Sequence, residues 1–521
     1  MALTDLPSVS CACSFEEQDE RLRLGAKFFA AAVLCGTALR LFAAIFGDVG
    51  VYADGASRIE LAIGWADKPS WQGLSGVWPP LHWYFLGVLI DTWNHPIVLA
   101  KAITLALSVA TILVFRNAVR HSFANVIGGL AALLLAVSWS HIWLTSSYWV
   151  EIPYLFFVIL GVGQTQKALS SRSASRGQLA GLCFALAILL RHEGFIVMPV
   201  VVLWYALRTR DWRRTLLLAW IPVLIAACCV IEPLFKGHSF FEYFDAVAQM
   251  KVAENLVQGL SVKDCLRQWC LMLGTSPTAF VLAPGIVALY RYHVQARQDL
   301  FAWLFALHFL FYMTLTIFFG WRPQMRYLLL FSVNILPYAS LWWMDAAQRF
   351  TTRYVLTALL SLTLVVQAAG WWIGRNNMLA YGWLPVQVIT SSQRELDDWI
   401  AFLKRQGMSG LRIVSIAPAA LDQRWSVVHS ALANDVHISP AGLDEVHAYV
   451  DRELLAGVLP PQVAQADIVL VDPRMSFYPK LMEAILRLNP ETTTDLIHPD
   501  IKVLLVSERA RSVAGQIARH G

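Results

Sequence analysis

Apolar runs long enough to cross a bilayer recur along this chain from Leu24 to Gly374, and one crossing takes only about 20 such residues. That recurrence restricts the fold more than any motif does. Inside hydrocarbon every backbone N–H and C=O must be satisfied within the segment, so runs of this length fold as helices. The composition agrees, with 57% hydrophobic and 15% charged residues and a mean hydropathy of +0.53, well outside the range of soluble domains. The 21 tryptophans and 15 tyrosines suit a protein with two membrane–water boundaries, where amphipathic rings settle. The net charge of +5 does not point to nucleic acid, because Lys and Arg concentrate in short loops between the runs.

The first run, Leu24–Phe46, is too long for a signal-peptide core and follows a leader of mixed charge. It reads as a retained helix with residues 1–23 in the cytoplasm. Of the eight cysteines, Cys35, Cys183, Cys228 and Cys229 lie within apolar runs, and Cys11 and Cys13 lie in the leader. Cys265 and Cys270 are awkwardly spaced for a bridge on one helix, and no zinc-ligand spacing is present.

Basic loops fix the topology. Arg21–Lys27, Arg116–His121, Lys167–Arg176, Arg208–Arg214, Arg291–Arg297 and Arg349–Arg353 all go to the cytoplasm by the positive-inside rule. Parity then makes the short run Pro79–Trp93 a partial insertion at the outer leaflet and places Ser146–Glu151 outside. The run Gln178–Leu207 begins and ends inside, so Arg191–Gly194 at its midpoint reads as the outer apex of two short helices. Thr215–Phe235 leads to an outer segment, Lys236–Arg267. The chain returns through Trp269–Tyr290 and Met325–Trp343, and exits through Leu300–Phe319 and Tyr354–Ile373.

Beyond Pro385 the composition changes. Leu411–Ile416, Asp467–Asp472 and Ile501–Val506 read as strands, while Ser392–Gln406, Gly442–Leu455 and Phe477–Leu488 read as helices. The fold class is therefore a polytopic α-helical membrane protein with a C-terminal soluble α/β domain over 391–521, exported by the same count. The membrane domain covers 24–374.

By this topology Asp54, Trp78, His82, Glu151, Arg191, His192, Glu193, Arg322, Arg326 and Tyr327 gather on the outer side. Ionisable groups at membrane depth are costly, so several on one face mark a reaction site or a substrate path. Asp54 is a candidate general base or an N-cap for the helix that follows. Arg58, one turn on, shares a pocket with Asp54 or forms a local ion pair. Pro79 and Pro80 open a helix, with His82 a donor to phosphate or sugar or a structural interface residue, and Trp78 beside it. Glu151 positions an acceptor or favours its own helix dipole. Arg191-His192-Glu193-Gly194 interrupts an otherwise apolar hairpin, where a purely structural role is harder to find. Arg322 and Arg326, followed by Tyr327, lie outside against the charge rule. They suit a lipid phosphate, which a guanidinium grips through a planar fork, or snorkel to headgroups.

The ordered set resembles the GT-C glycosyltransferases over Leu24–Ile373. It comprises an outer acid after the first helix, Pro79-Pro80-Leu81-His82, a second outer acid, Arg191-His192-Glu193-Gly194 and Arg326-Tyr327. The bacterial branch with protein mannosyltransferases and aminoarabinose transferases is the most similar. The resemblance implies a GT-C-like helical bundle that takes a sugar from a polyprenyl-phosphate donor on the outer face, with inversion, in a bacterial inner membrane. Carried over by position, Asp54 is the general base, Glu151 orients the acceptor, and Arg191, Arg326, Arg58 and His82 serve the donor phosphate. The acceptor is a glycan, a lipid or a protein. No cofactor is implied, although Asp54 and Glu151 are ligands of the kind a divalent metal takes. Two residues depart from the pattern: Trp78 stands where relatives often have lysine, and Glu151 where aspartate is usual. The rival class is a flippase or transporter of a lipid-linked sugar, and a third is a silent scaffold; repeated halves, a frequent transporter mark, are not visible.

Overall fold

The computed structural model describes residues 15–46, 58–59, 61–62, 65–66, 69, 79–90, 96–145, 150–235, 261–275, 278–319, 321, 325–349, 357–358, 360–367, 369, 413–416, 465–471, 478–498, 501–508 and 511. The chain divides into two compact units, one of Met1–Gly47, Trp71–His82 and Lys101–Arg375, the other of Asp48–Ser70, Trp83–Ala100 and Asn376–Gly521.

Helices run through the sequence in the order α1 (Phe15–Phe46), α2 (Leu81–Ile90), α3 (Pro96–Ser122), α4 (Asn125–Ala136), α5 (Trp139–Thr145), α6 (Glu151–Ser171), α7 (Ala174–Ile188) and α8 (Glu193–Thr209). They continue as α9 (Trp212–Phe235), α10 (Val262–Thr275), α11 (Ala279–Arg291), α12 (His293–Ala296), α13 (Leu300–Phe319) and α14 (Met325–Arg349). Among the described residues five stretches are long and apolar enough to cross a bilayer, Asp19–Ile45, Val98–Ser122, Trp212–Ile231, Leu300–Phe319 and Arg326–Ala347. The bent pair α4–α5 makes a sixth. The protein is an integral membrane protein.

The first helix starts well before the apolar run that announces it, helped by the Asp19–Arg23 pair one turn apart at 2.7 Å. The expected single crossing Trp269–Tyr290 is instead two helices, α10 and α11, with Pro277 between them. Proline removes a backbone donor and disfavours helix at the preceding residue. A reciprocal cap opens α10: Ser261 Oγ accepts from the Asp264 amide at 3.2 Å, and Asp264 Oδ2 accepts from the Ser261 amide at 3.0 Å. On that helix Cys265 is buried and Cys270 exposed. Of the segment expected outside, 236–260 lie beyond the described residues, as do most of 351–373.

Two tight turns share one design. Arg172 and Arg210 adopt left-handed backbone, φ 55° and 51°, at the C-termini of α6 and α8. Each is followed by a cap for the next helix. Ser173 accepts from the Arg176 amide at 3.4 Å, and Asp211 accepts from the Arg213 and Arg214 amides at 3.0 and 3.3 Å. These turns hold α6 against α7 and α8 against α9.

The α4–α5 pair bends by 55° around Val137–Ser138. Arg40, fully buried on α1, clamps the bend. Its Nη1 donates to the carbonyls of Ala136 at 2.7 Å and Gly36 at 2.9 Å, its Nη2 to Leu135 at 3.3 Å and to His141 Nδ1, and its Nε to Ser108 Oγ at 2.7 Å. All five guanidinium protons are thus used. Since the guanidinium donates, His141 Nδ1 accepts, so the imidazole is neutral with its proton on Nε2. Arg40→Met strands the carbonyls that the bend frees. It is expected to cost about 3 kcal/mol, read as a lower Tm in detergent; unchanged melting would rule out the clamp.

In the second unit Ala62 and Trp65, in described helical positions, pack on α2. Trp65 and Tyr84 lie with ring centroids 4.9 Å apart, and a Cβ at Gly87 would meet Trp65 Cε3 at 2.7 Å. The same unit holds β1 (Ile413–Ile416), β2 (Ile468–Val471), α15 (Tyr478–Leu488), β3 (Thr493–His498) and β4 (Ile501–Leu505). The sheet order is β1-β2-β4-β3, with β1 parallel to β2 and the other pairs antiparallel. Among its described side chains Ile468, Val469, Val503 and Leu504 are fully buried. Three expected strands and the expected helix Phe477–Leu488 are present, and β3 is an addition. The expected helices Ser392–Gln406 and Gly442–Leu455 lie outside the described residues.

Candidate functional site

The apolar stretch from Gln178 to Leu207 breaks at Leu189–His192, as its central charges require. The α7 helix closes with the Leu190 and Arg191 amides on the Ala187 carbonyl at 3.1 and 3.0 Å. The next helix begins at once, with the Gly194 amide on Arg191 O at 3.0 Å. Gly194 permits this. A Cβ there would lie 2.7 Å from both N and Cα of Ile188. The Leu189 carbonyl, left over at the end of α7, accepts from the Leu81 amide at 3.0 Å, a spare donor at the start of α2. The Pro79–His82 segment is thereby fastened to the hairpin apex, and Pro79, Pro80 and His82 are buried there.

The apex presents Arg191 to two carboxylates. Its Nε donates to Glu193 Oε2 at 3.0 Å and its Nη2 to Glu193 Oε1 at 2.5 Å, a bidentate fork. Its remaining nitrogen, Nη1, donates to Glu151 Oε1. Arg326 Nε reaches the same Glu151 oxygen at 3.7 Å. Glu151 is fully buried, while the Arg191, Glu193 and Arg326 side chains keep 11%, 9% and 12% exposure. Among the described residues, two guanidiniums and two carboxylates therefore balance in this nearly buried cluster. Three helices, α6, α8 and α14, begin at these residues, and their N-terminal amides add positive potential.

Tyrosines set the far side. Tyr312 Oη donates to Glu193 Oε1 at 2.8 Å, and the Tyr312 ring stacks on Tyr327 at 4.6 Å. Arg326 lies over Tyr327, 5.3 Å from its centroid. One turn inward are two more buried polar side chains, Tyr154 on the helix of Glu151 and His308 on the helix of Tyr312. His308 Nδ1 lies 2.8 Å from Leu304 O, so it carries the proton and Nε2 is an acceptor. Among the described residues, Glu151 Oε2, Tyr154 Oη and His308 Nε2 lack hydrogen-bond partners.

Of the residues expected from sequence, the structure brings Glu151, Arg191, Glu193, Arg326 and Tyr327 into one cluster. His192 lies in the apex turn, partly exposed, and His82 ends the Pro79–His82 segment fastened to the apex. Arg58 is buried in the other unit. Asp54, Trp78 and Arg322 lie outside the described residues. Among the described residues no group of three His, Cys, Asp or Glu side chains is arranged to hold a metal ion. Tyr312, Tyr154 and His308 escape a sequence reading focused on charge. Their only signal is polar atoms within apolar helices, where each needs a partner.

No family model and no curated protein matches the sequence. Solved structures do match in fold. ArnT from Cupriavidus metallidurans bound to undecaprenyl phosphate superposes with a TM-score of 0.59 at 13% identity, covering 93% of this chain and 98% of its own. The oligosaccharyltransferase of Archaeoglobus fulgidus in its apo form gives 0.52 at 12% identity, covering 89% and 71%. The archaeal oligosaccharyltransferase AglB from the same organism, in complex with an inhibitory peptide and a dolichol-phosphate, gives 0.51 at 13% identity with the same coverage. The helical fold is that of the GT-C membrane glycosyltransferases, as the ordered motifs lead one to expect.

Proposed function

We propose that the protein is a membrane glycosyltransferase that moves a sugar from a polyprenyl-phosphate donor to an acceptor on the outer face of a bacterial inner membrane. One observation carries this: the guanidiniums of Arg191 and Arg326 converge on a single buried oxygen, at Glu151 Oε1. One nitrogen from each of two guanidiniums at a single oxygen suits a phosphoryl group whose charge grows as its bond to the sugar breaks. The neighbours in fold are consistent with it, since ArnT is seen with undecaprenyl phosphate and AglB with a dolichol-phosphate.

In this reading the acceptor hydroxyl oxygen attacks the anomeric carbon from the face opposite the phosphate, inverting the centre. The carbon–oxygen bond to phosphate breaks, and the hydroxyl proton passes to Asp54. Polyprenyl phosphate leaves against Arg191 and Arg326, with His82 and Arg58 as further donors. Such a leaving group needs no separate acid. Glu151 orients the acceptor, which is a glycan, lipid or protein. The amino terminus lies in the cytoplasm, and residues 391–521 form a periplasmic domain that caps the membrane domain or holds the acceptor.

The test is sugar transfer by purified protein in lipid nanodiscs, with radiolabelled polyprenyl-phosphate sugars and envelope extract as acceptor. Asp54→Asn is expected to lower transfer by about a thousandfold while the protein stays folded, because the base contributes at least the usual 10²–10⁴ of such catalysis. Equal transfer by wild type and variant would remove Asp54 from that role.

A further inference from the structure

Resting on that reading, we propose that Glu151 is a resident counter-anion: its carboxylate holds the phosphate's place between Arg191 and Arg326, and the donor's phosphodiester displaces it. The two carboxylates of the cluster are held in different ways. Glu193 takes the Nε–Nη2 edge of Arg191 through both oxygens and accepts from Tyr312 as well. That set of contacts orients the guanidinium and leaves only Nη1 directed into the site. Glu151 uses one oxygen only, and this oxygen is where Nη1 and Arg326 Nε meet. Its other oxygen is buried without a hydrogen-bond partner among the described residues, a costly state for a carboxylate. A ligand oxygen at the Oε1 position inherits both arginine contacts and loses nothing held by Glu193.

Charge supports the exchange. Among the described residues of the cluster two arginines and two glutamates are neutral together, so an anion added with Glu151 in place brings negative charge that these four do not compensate. Moving Glu151 aside restores two cations to the incoming phosphodiester and frees a carboxylate for the acceptor. No proton moves and no bond is made in this step. After transfer the lipid phosphate carries more charge, and the returning carboxylate competes for the same guanidiniums, which promotes product release.

Binding of undecaprenyl phosphate to the purified protein in nanodiscs tests the exchange. Glu151→Gln keeps the shape and removes the competing charge, so affinity is expected to rise on the order of tenfold, the scale of one close charge pair. Glu193→Gln alters charge equally but loosens Arg191, and affinity is expected to fall. Unchanged or weaker binding by a folded Glu151→Gln variant would overturn the exchange alone. Equal binding by wild type and Arg191→Gln, or none by wild type, would overturn the phosphate site and the exchange with it. Should Glu151→Gln not fold, the wild type supplies the readout. Undecaprenyl phosphate must then shift a carboxylate stretch in the infrared difference spectrum, and no shift would overturn the proposal.

Discussion

Arg191→Lys is expected to lower sugar transfer by roughly a thousandfold, although it preserves the charge. The guanidinium has three nitrogens in use, two on Glu193 and one on the oxygen it shares with Arg326. An ammonium is a single point of charge on a flexible stem, so it satisfies Glu193 or the phosphate position but not both with that geometry. Lysine is the informative substitution because a neutral residue leaves Glu151 and Glu193 buried without their main cation, which alone destabilises by about 3–5 kcal/mol. Transfer measured in nanodiscs beside a melting curve separates the two effects. Near-wild-type transfer by Arg191→Lys would show that charge alone suffices and that the fork has no part in the reaction.

Gly194→Ala is expected to reduce transfer by about a hundredfold, since displacement of catalytic groups by an ångström has an effect of that size. The added Cβ would sit 2.7 Å from Ile188 N and Cα and 2.9 Å from Ala187 C, all backbone atoms at the end of α7. Backbone does not turn aside as a flexible side chain does, so the apex must open. Both Arg191 and Glu193 move with it, and Leu189 shifts against Leu81. The control lies on α7, the helix whose end Gly194 meets. A Cβ at Gly177 meets nothing within 4 Å, so Gly177→Ala is expected to be neutral or to stabilise by up to about 1 kcal/mol from helix propensity. Equal transfer by both variants would show that the close approach at Gly194 does not set the site.

What could be read from the sequence was what local chemistry dictates. Apolar length specifies helices, and the cost of charge in hydrocarbon singles out Glu151, Arg191, Glu193 and Arg326, which the structure gathers. The break in Gln178–Leu207 was legible for the same reason. Pro277 falls between α10 and α11, while the apolar residues on either side give Trp269–Tyr290 the hydropathy of a single run. Arg40 is one charge within the first apolar run. Its partners Ser108 and His141 lie 68 and 101 positions away, and no periodicity reports such a distance. Tyr312 meets Glu193 across 119 positions. The strand β3, Thr493–His498, carries Thr and Asp in place of an apolar run, and its pairing with β4 defines it.

The central claim is that this site breaks a sugar–phosphate bond rather than moving an intact lipid-linked sugar, and the most direct measurement follows both halves of the donor. Polyprenyl-phosphate sugar, labelled separately in sugar and lipid, is incubated with purified protein and envelope acceptor, and the products are counted. Transfer predicts one polyprenyl phosphate released for every sugar on the acceptor, with both lost together in Arg191→Lys. Donor that crosses the bilayer or stays bound with its sugar–phosphate bond intact would contradict it and identify a flippase.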